Sequence, residues 1–251
     1  MQALAREIGF SETTFVTEAG GNRYRMRIFT PDEELPFAGH PTLGTAFVMV
    51  AEGRVTSSAV QVVAAGEIPV EVDLERSFAW MRQFPPVFGL EITDRERVAA
   101  AAGLTTADLH PEHPPQIVST GLAHLIVPAR DLEAVALASL QHAPLAEVVG
   151  EFGNAALYLF AIGEGYVKAR MFAPGTSIGE DPATGSAAGP LGAYLAARGL
   201  AGMPGKLVVF QGEHVGRPSE LHVEVLPEAD SWRVIVGGGV RIVGEGAFEV
   251  G

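Results

Sequence analysis

Three short segments of this chain carry side chains able to move protons or hold an anion, and all three lie in turn-like stretches. They are Gly9-Phe10-Ser11-Glu12-Thr13-Thr14-Phe15, Gly39-His40-Pro41-Thr42 and Gly179-Glu180-Asp181-Pro182-Ala183-Thr184-Gly185-Ser186. Carboxylate and imidazole are ordinary general acid–base groups. No cysteine competes with them, which removes disulfides, a thiolate nucleophile and cysteine-ligated zinc together. Only Lys168, in a strand-like run, and Lys206, in a Pro-Gly-Lys turn, could form a Schiff base, and neither position favours it. His40 and Asp181 each precede a proline at or just before a helix-like run. There the unpaired N–H groups of a first turn can hold a carboxylate. Taken singly these residues have plainer readings, since Ser, Thr and Asp before helices cap them and a Glu in a polar turn is solvated.

What must position these side chains is a duplicated frame. Arg27-Ile28-Phe29-Thr30-Pro31 recurs as Arg170-Met171-Phe172-Ala173-Pro174, each copy closing a strand-like segment, residues 24–29 and 166–172. After each proline come a turn-rich loop, an X-Pro step with a nearby threonine, and a small, apolar helix that ends at glycine, Gly53 or Gly199. Apolar residues surround most turns of these helices, so each is expected inside a curved sheet. In this frame His40 matches Asp181, and two helix N-termini face one cleft across a pseudo-two-fold axis. Pro190 sets the start of the second helix near Ser186, because proline suits a first turn.

Around this frame, Thr93-Asp94-Arg95-Glu96 is a capping box opening a helix that stops at Gly103. Residues 105–117, with His110-Pro111-Glu112-His113-Pro114-Pro115, read as a linker; the prolines break any helix that would align the histidines for a metal, so none is expected. Strand-like runs at 123–127, 155–162, 207–210, 221–225 and 232–236 alternate with helical stretches at 131–140 and 186–198, an α+β pattern with mixed sheets. Gly237-Gly238-Gly239 reads as a bulge or hairpin, and neither a dinucleotide fingerprint nor a Walker loop appears. The chain has 251 residues and a formal charge of −13, which repels nucleic acid and anionic lipid alike. No run is long and apolar enough for a membrane helix and no secretory pattern opens the chain, so a cytoplasmic protein is expected.

The segments 9–15, 27–31, 39–42 and 179–186, with Ser119-Thr120-Gly121, Gln211-Gly212 and Gly216-Arg217-Pro218-Ser219, together resemble the PhzF-like phenazine-biosynthesis family, in that family's order and over nearly the whole chain. The resemblance implies a diaminopimelate-epimerase-like α+β fold. It has two pseudo-symmetric domains, residues 1–104 and 118–251, each a mixed sheet or barrel wrapped around a central buried helix. It further implies an isomerase that moves a proton between carbons of a small, carboxylate-bearing, cyclic substrate without a cofactor, in an interdomain cleft and as a homodimer. By match to the family's motifs Glu12 is the proton carrier. Ser11, Gly39 and His40 line the site from one side, and Asp181, Gly185 and Ser186 from the other. Epimerases of this fold that use two cysteines cannot be the pattern here, so carboxylate and imidazole must carry any proton transfer.

One departure stands out. Family members begin with an additional segment carrying the first strands, whereas this chain starts directly in the helical pattern of residues 1–8, which is expected to leave a sheet edge exposed. Loss of strands near the cleft would also suit a catalytically idle binding protein on the same fold. A serine hydrolase built from Ser186, His40 and Asp181 is the other enzyme reading, but Ser186 lacks the Gly-x-Ser-x-Gly elbow.

Overall fold

The computed structural model describes residues 1–10, 12–150, 155–173 and 179–248, so Ser11 and Pro174 lie outside the described residues. The chain opens with helix α1 (Gln2–Ile8), closed by Gly9 in the left-handed conformation at φ 71°. Strands β1 (Thr13–Gly20), β2 (Arg23–Phe29) and β3 (Glu34–Leu35) lead to helix α2 (Gly39–Ala51). Strands β4 (Ser58–Val63), β5 (Gly66–Asp73), β6 (Phe78–Arg82) and β7 (Val87–Glu91) follow, then helix α3 (Arg95–Ala101). Strands β8 (Gln116–Ser119) and β9 (Ala123–Pro128) precede helices α4 (Leu132–Leu137) and α5 (His142–Gly150). The last stretch runs β10 (Ala156–Ile162), β11 (Val167–Phe172), β12 (Glu180–Asp181), α6 (Gly185–Arg198), β13 (Gly205–Gln211), β14 (Ser219–Glu228) and β15 (Ser231–Gly239).

Alternation makes the strands. In β2, Tyr24, Met26 and Ile28 are buried while Arg23, Arg25 and Arg27 face outward. The strands form one mixed sheet in the order β1-β2-β4-β5-β6-β15-β14-β13-β11-β10-β9-β8-β7, with β3 on β2 and β12 on β11. The order of elements from β1 to β6 repeats from β10 to β15, with the same pairings. β1/β2 and β10/β11 are antiparallel, β2/β4 and β11/β13 parallel, and each set then closes with two antiparallel hairpins. β6 and β15 join the repeats antiparallel, with Met81 opposite Val236.

The repeat extends to side chains. Arg27 grips Glu34 through Nε and Nη2, at 2.8 and 2.6 Å, and Arg170 grips Glu180 in the same way at 2.9 and 2.7 Å. Each guanidinium lies 5.0 Å from the ring two residues on, Phe29 or Phe172. The bidentate fork needs a planar donor and fixes the short strand beside it. Only the second copy is buried, and there Arg170 also donates to the carbonyls of Val135 and Ala138 at the end of α4.

Both central helices lie in one core. α6 is buried from Gly185 to Ala196 and packs against β8, β9, β13, β14 and β15. α2 contributes Leu43, Ala46, Phe47 and Met49 to the same core and packs on β1, β4, β5, β6 and β15. A second core lies under α3, α4 and α5, where Val98, Val135, Leu145 and Val149 cover Leu125, Val127, Leu157 and Leu159. Among the described residues no helix is long and apolar enough to cross a membrane.

Several local expectations are corrected. Asp94, not Thr93, caps α3, its carboxylate accepting from the Arg97 N–H. α6 begins at Gly185, one residue from the expected start near Ser186, but Pro190 stands past the first turn; its missing N–H frees the Ser186 carbonyl, and tight burial holds the helix across the gap. Gly237 to Gly239 run inside β15, paired with Trp80, Ala79 and Phe78. A side chain at Gly237 would meet the Trp80 ring at 2.2 Å, so glycine is what lets the indole lie flat on the strand. Residues 105–117 hold a single 3₁₀ turn, Thr106–Asp108, the buried Leu109, which bridges to Ala129, and the first two residues of β8; the Pro114 carbonyl accepts from Tyr194. Within that stretch the Nδ1 of His110 accepts from the backbone N–H groups of Glu112 and His113, which turns the ring inward on the loop.

Candidate active site

Glu12 stands immediately before β1, three residues after the Gly9 that closes α1. His40 is the second residue of α2, presented by Ala38, whose extended backbone (φ −151°, ψ 153°) swings the chain into the helix. These two elements bring Glu12 Oε2 to 2.9 Å from His40 Nε2. The Glu12 side chain is 13% exposed and that of His40 43% exposed, so the pair has a sheltered carboxylate behind an accessible ring. Oε2 is fully buried with no aligned hydrogen bond among the described residues, so the contact is a close charge pair when the ring is protonated. Crowding by protein pulls the His40 imidazole down. The hydrogen-bonding distance to Glu12, its charge, that of Asp181 and the Ala183 backbone outweigh this and hold the pKa above its ordinary value.

Asp181 reaches the same neighbourhood from another direction. It lies on β12, opposite Met171, and its carboxylate accepts from Thr184 Oγ1 at 2.6 Å. Gln211 donates to the Asp181 carbonyl at 2.6 Å and to Thr184 Oγ1 at 2.9 Å, while accepting from Tyr158 at 2.8 Å. All four side chains are buried, so every polar atom of this relay that is satisfied fixes Asp181 more rigidly. Burial pushes the Asp181 carboxyl above its ordinary range, against the opposing pull of Thr184 and His40. A matching relay, Tyr24 to Gln61 to Thr42, braces the start of α2.

The expected match of His40 with Asp181 is shifted. The register places Glu180 and Asp181 against β11 where Glu34 and Leu35 lie against β2, so Asp181 occupies the place of Leu35. Four residues later both helices begin, at Gly39 and Gly185, which makes His40 the counterpart of Ser186. The two helix starts touch: a side chain at Gly39 would lie 2.5 Å from the Ser186 nitrogen and 2.7 Å from the Gly185 Cα. Only glycine permits this approach.

Around the junction are groups that sequence reading passed over. Gln83 donates to the Gly185 carbonyl at 2.8 Å and accepts from Thr120 at 2.6 Å, which gives the Ser119-Thr120-Gly121 segment its place. His124, inside an apolar run that reads only as core, lies 3.2 Å from Ser186 Oγ through Nε2. A cleft of about 820 Å³ is lined by His40, Ala183, Gly185, Arg217, Ser219 and Arg241, among others. A groove of about 520 Å³ along α2 is lined by Glu12, His40, Thr45 and the chain from Val240 to Gly244. His40 borders both, and the buried Asp181 and Ser186 lie next to the cleft wall, two residues from Ala183 and one from Gly185. Arg217 and Arg241 are exposed, and neither is in an ion pair among the described residues.

The geometry is a carboxylate and imidazole pair beside two abutting helix starts and a second, rigidly held carboxyl. The sequence profile of the PhzC-PhzF family, described as phenazine biosynthesis-like protein, matches residues 1–246. The trans-2,3-dihydro-3-hydroxyanthranilate isomerase of Pseudomonas aeruginosa is 34% identical over 226 residues, covering 88% of this chain and 78% of that protein. The crystal structure of a PhzF-family phenazine biosynthesis protein from Bacillus anthracis superposes with a TM-score of 0.82 at 29% identity, covering 95% of this chain and 84% of that one. A probable proline racemase from Agrobacterium radiobacter shares the fold, with a TM-score of 0.65 at 14% identity over 95% of this chain and 78% of its own.

Proposed function

Since this chain belongs to the phenazine biosynthesis-like family and is an isomerase, we propose that it carries a proton from one carbon to another of a small, cyclic, carboxylate-bearing substrate, with Glu12 as the group that takes the proton and returns it. The observation that supports this most is the Glu12–His40 pair, a sheltered carboxylate 2.9 Å from an imidazole that opens onto the cleft. Glu12 removes the proton from carbon and keeps it within reach. His40, whose raised pKa keeps it cationic to higher pH, offsets the negative charge that develops on the substrate. The same carboxylate then delivers the proton to the second carbon, a step that needs no redox partner and that we read as cofactor-independent. Asp181, held protonated to higher pH by burial, is placed to orient the substrate or lend a second proton.

The substrate carboxylate has two attractions to set against the protein's overall negative charge. The first is the N–H groups where α2 and α6 begin, at Gly39 and Gly185-Ser186; the second is the exposed Arg217 and Arg241 on the cleft wall. Ser11 precedes Glu12 and completes the proposed set of binding residues. The name of the Pseudomonas relative points to a ring bearing carboxylate, amine and hydroxyl groups, and we extend that chemical class to this chain.

Deuterium incorporation at carbon, followed by NMR in heavy water across a panel of cyclic hydroxy- and amino-acids, tests the reading. Wild type should exchange at least one of them, and Glu12→Gln should lose roughly 10²- to 10⁴-fold in rate while still binding the ligand. Exchange that persists in Glu12→Gln moves the base to Asp181. No exchange with any compound that binds would favour the idle binding protein.

A further inference from the structure

His124 is 1% exposed, on β9, and faces the first turn of α6. Its Nε2 is 3.2 Å from Ser186 Oγ, and its Nδ1 is fully buried with no hydrogen-bond partner among the described residues. That asymmetry decides the tautomer. A proton on Nδ1 would bury an N–H donor with nothing to accept it, and such orphaned donors are rare in folded proteins; a bare Nδ1 leaves only an unfilled lone pair. The proton therefore sits on Nε2, which must donate to Ser186 Oγ. Burial, which brings the imidazole pKa down to about 4, keeps the ring neutral and this donor fixed across the physiological range.

A serine hydroxyl that accepts from behind has its own proton left to give in front. Beside Ser186 is the close junction of the two helix starts at Gly39 and Gly185, whose first-turn N–H groups have no partner within their own helices; Gly185 reaches the cleft wall there. We infer that His124 is a positioning residue for the carboxylate subsite: its Nε2–H donates to Ser186 Oγ and so aims the Ser186 proton at a ligand carboxylate lying against the two helix starts. The opposite tautomer would make Ser186 donate backward to the ring and accept from the ligand, favouring an amine or hydroxyl at that place. The assigned tautomer also has no lone pair on Nε2 to deprotonate Ser186, which removes the means by which a histidine activates a serine nucleophile. This rests on the cleft reading proposed above, and its tests separate from those of Glu12.

Ring ¹⁵N NMR of the ligand-free protein reads the tautomer directly. Protonation at Nε2 with a bare Nδ1 between pH 6 and 8 is expected; protonation at Nδ1, or an imidazolium, overturns the inference whether or not the protein is an active isomerase. Calorimetric binding of anthranilate, a ring bearing a carboxylate, reads the consequence. Ser186→Ala should weaken it roughly 10-fold or more, the scale of a hydrogen bond to a charged group. His124→Phe should weaken it comparably, and the double variant no further, because the two residues act as one donor. His124→Gln, which returns an N–H near the Nε2 position, should recover most of the loss. Additive losses, or no effect of Ser186→Ala on a wild-type protein that binds anthranilate, would overturn the positioning role. Failure of wild type to bind anthranilate counts against the carboxylate subsite itself, while loss of exchange in Glu12→Gln with the His124 tautomer reversed would sink this inference and leave the base assignment intact.

Discussion

A carboxylate beside an imidazole at 2.9 Å can store a proton or merely share a charge, and the pH dependence of the two histidines near the site separates these roles. His40 has a raised pKa, so its charge and its contribution to stability are fully present below the ordinary 6.5 and are lost as pH rises through the raised value. The exchange rate should therefore fall on the alkaline side above pH 6.5. His40→Asn should lower the rate less than Glu12→Gln and erase that alkaline limb, which a rate-versus-pH series measures. His124 runs the other way. Its folded pKa of about 4 lies below 6.5, so the unfolded chain takes up the proton first. Stability is whole above 6.5 and declines as pH falls toward 4, by roughly 3 kcal/mol in total. Denaturant unfolding between pH 7 and 4 should show that decline in wild type and not in His124→Gln, once each is referred to its own stability at pH 7. His40 and Asp181 stood out in the sequence because each precedes a proline near a helix start, whereas Glu12, in a polar turn, was singled out by its match to the family's motif. His124 was not, because an apolar strand hides a single polar residue and only the packing of α6 on β9 reveals what it touches.

The elements carry a second lesson, in which glycine is the clearest probe. Gly39 and Gly44 lie five residues apart on α2, yet a side chain at Gly39 would strike the backbone of Gly185 and Ser186, whereas one at Gly44 meets nothing within 4 Å. Gly39→Ala should force the two helix starts apart, costing about 1–3 kcal/mol, and should abolish carboxylate binding with them. Gly44→Ala should stabilise the helix by about 0.5–1 kcal/mol, because alanine loses less backbone entropy. Chemical unfolding of the two variants checks the opposite signs. The repeated strand, proline and helix were legible because each copy is local: Arg27 to Phe29 and Arg170 to Phe172 carry the same fork and the same ring. The match of His40 with Asp181 misread the repeat, because two X-Pro steps aligned in sequence while the shared geometry runs through Gly39 and Gly185. Pro190 pointed to the start of α6 within one residue, yet it stands past the first turn that was the reason for the expectation. Burial of α6 on every side tolerates a proline that a solvated helix would expel from its interior.

At the scale of the whole molecule, the seam between β6 and β15 decides whether the halves behave as one body. The principal core draws Tyr24, Phe47 and Met81 from one repeat and Leu191, Val223 and Val236 from the other, and the second core takes Val98 and Ala99 of α3 onto strands β9 and β10. Neither repeat therefore owns a complete core, and the site, assembled from α2 and α6, exists only while the seam is closed. Such a molecule should unfold in a single step although its length would permit two. The two tryptophans offer a direct check, since Trp80 lies on β6 and Trp232 on β15. Trp232→Phe leaves a reporter on the first repeat and Trp80→Phe one on the second. Within each single-tryptophan variant, the fluorescence and far-ultraviolet circular dichroism midpoints should coincide. Met81→Ala, which empties a fully buried place between Val70 and Val236, should then cost about 2–5 kcal/mol in both backgrounds alike. A loss confined to the Trp80 reporter, or two resolved transitions, would show that the repeats unfold separately and that the cleft is a joint between two bodies.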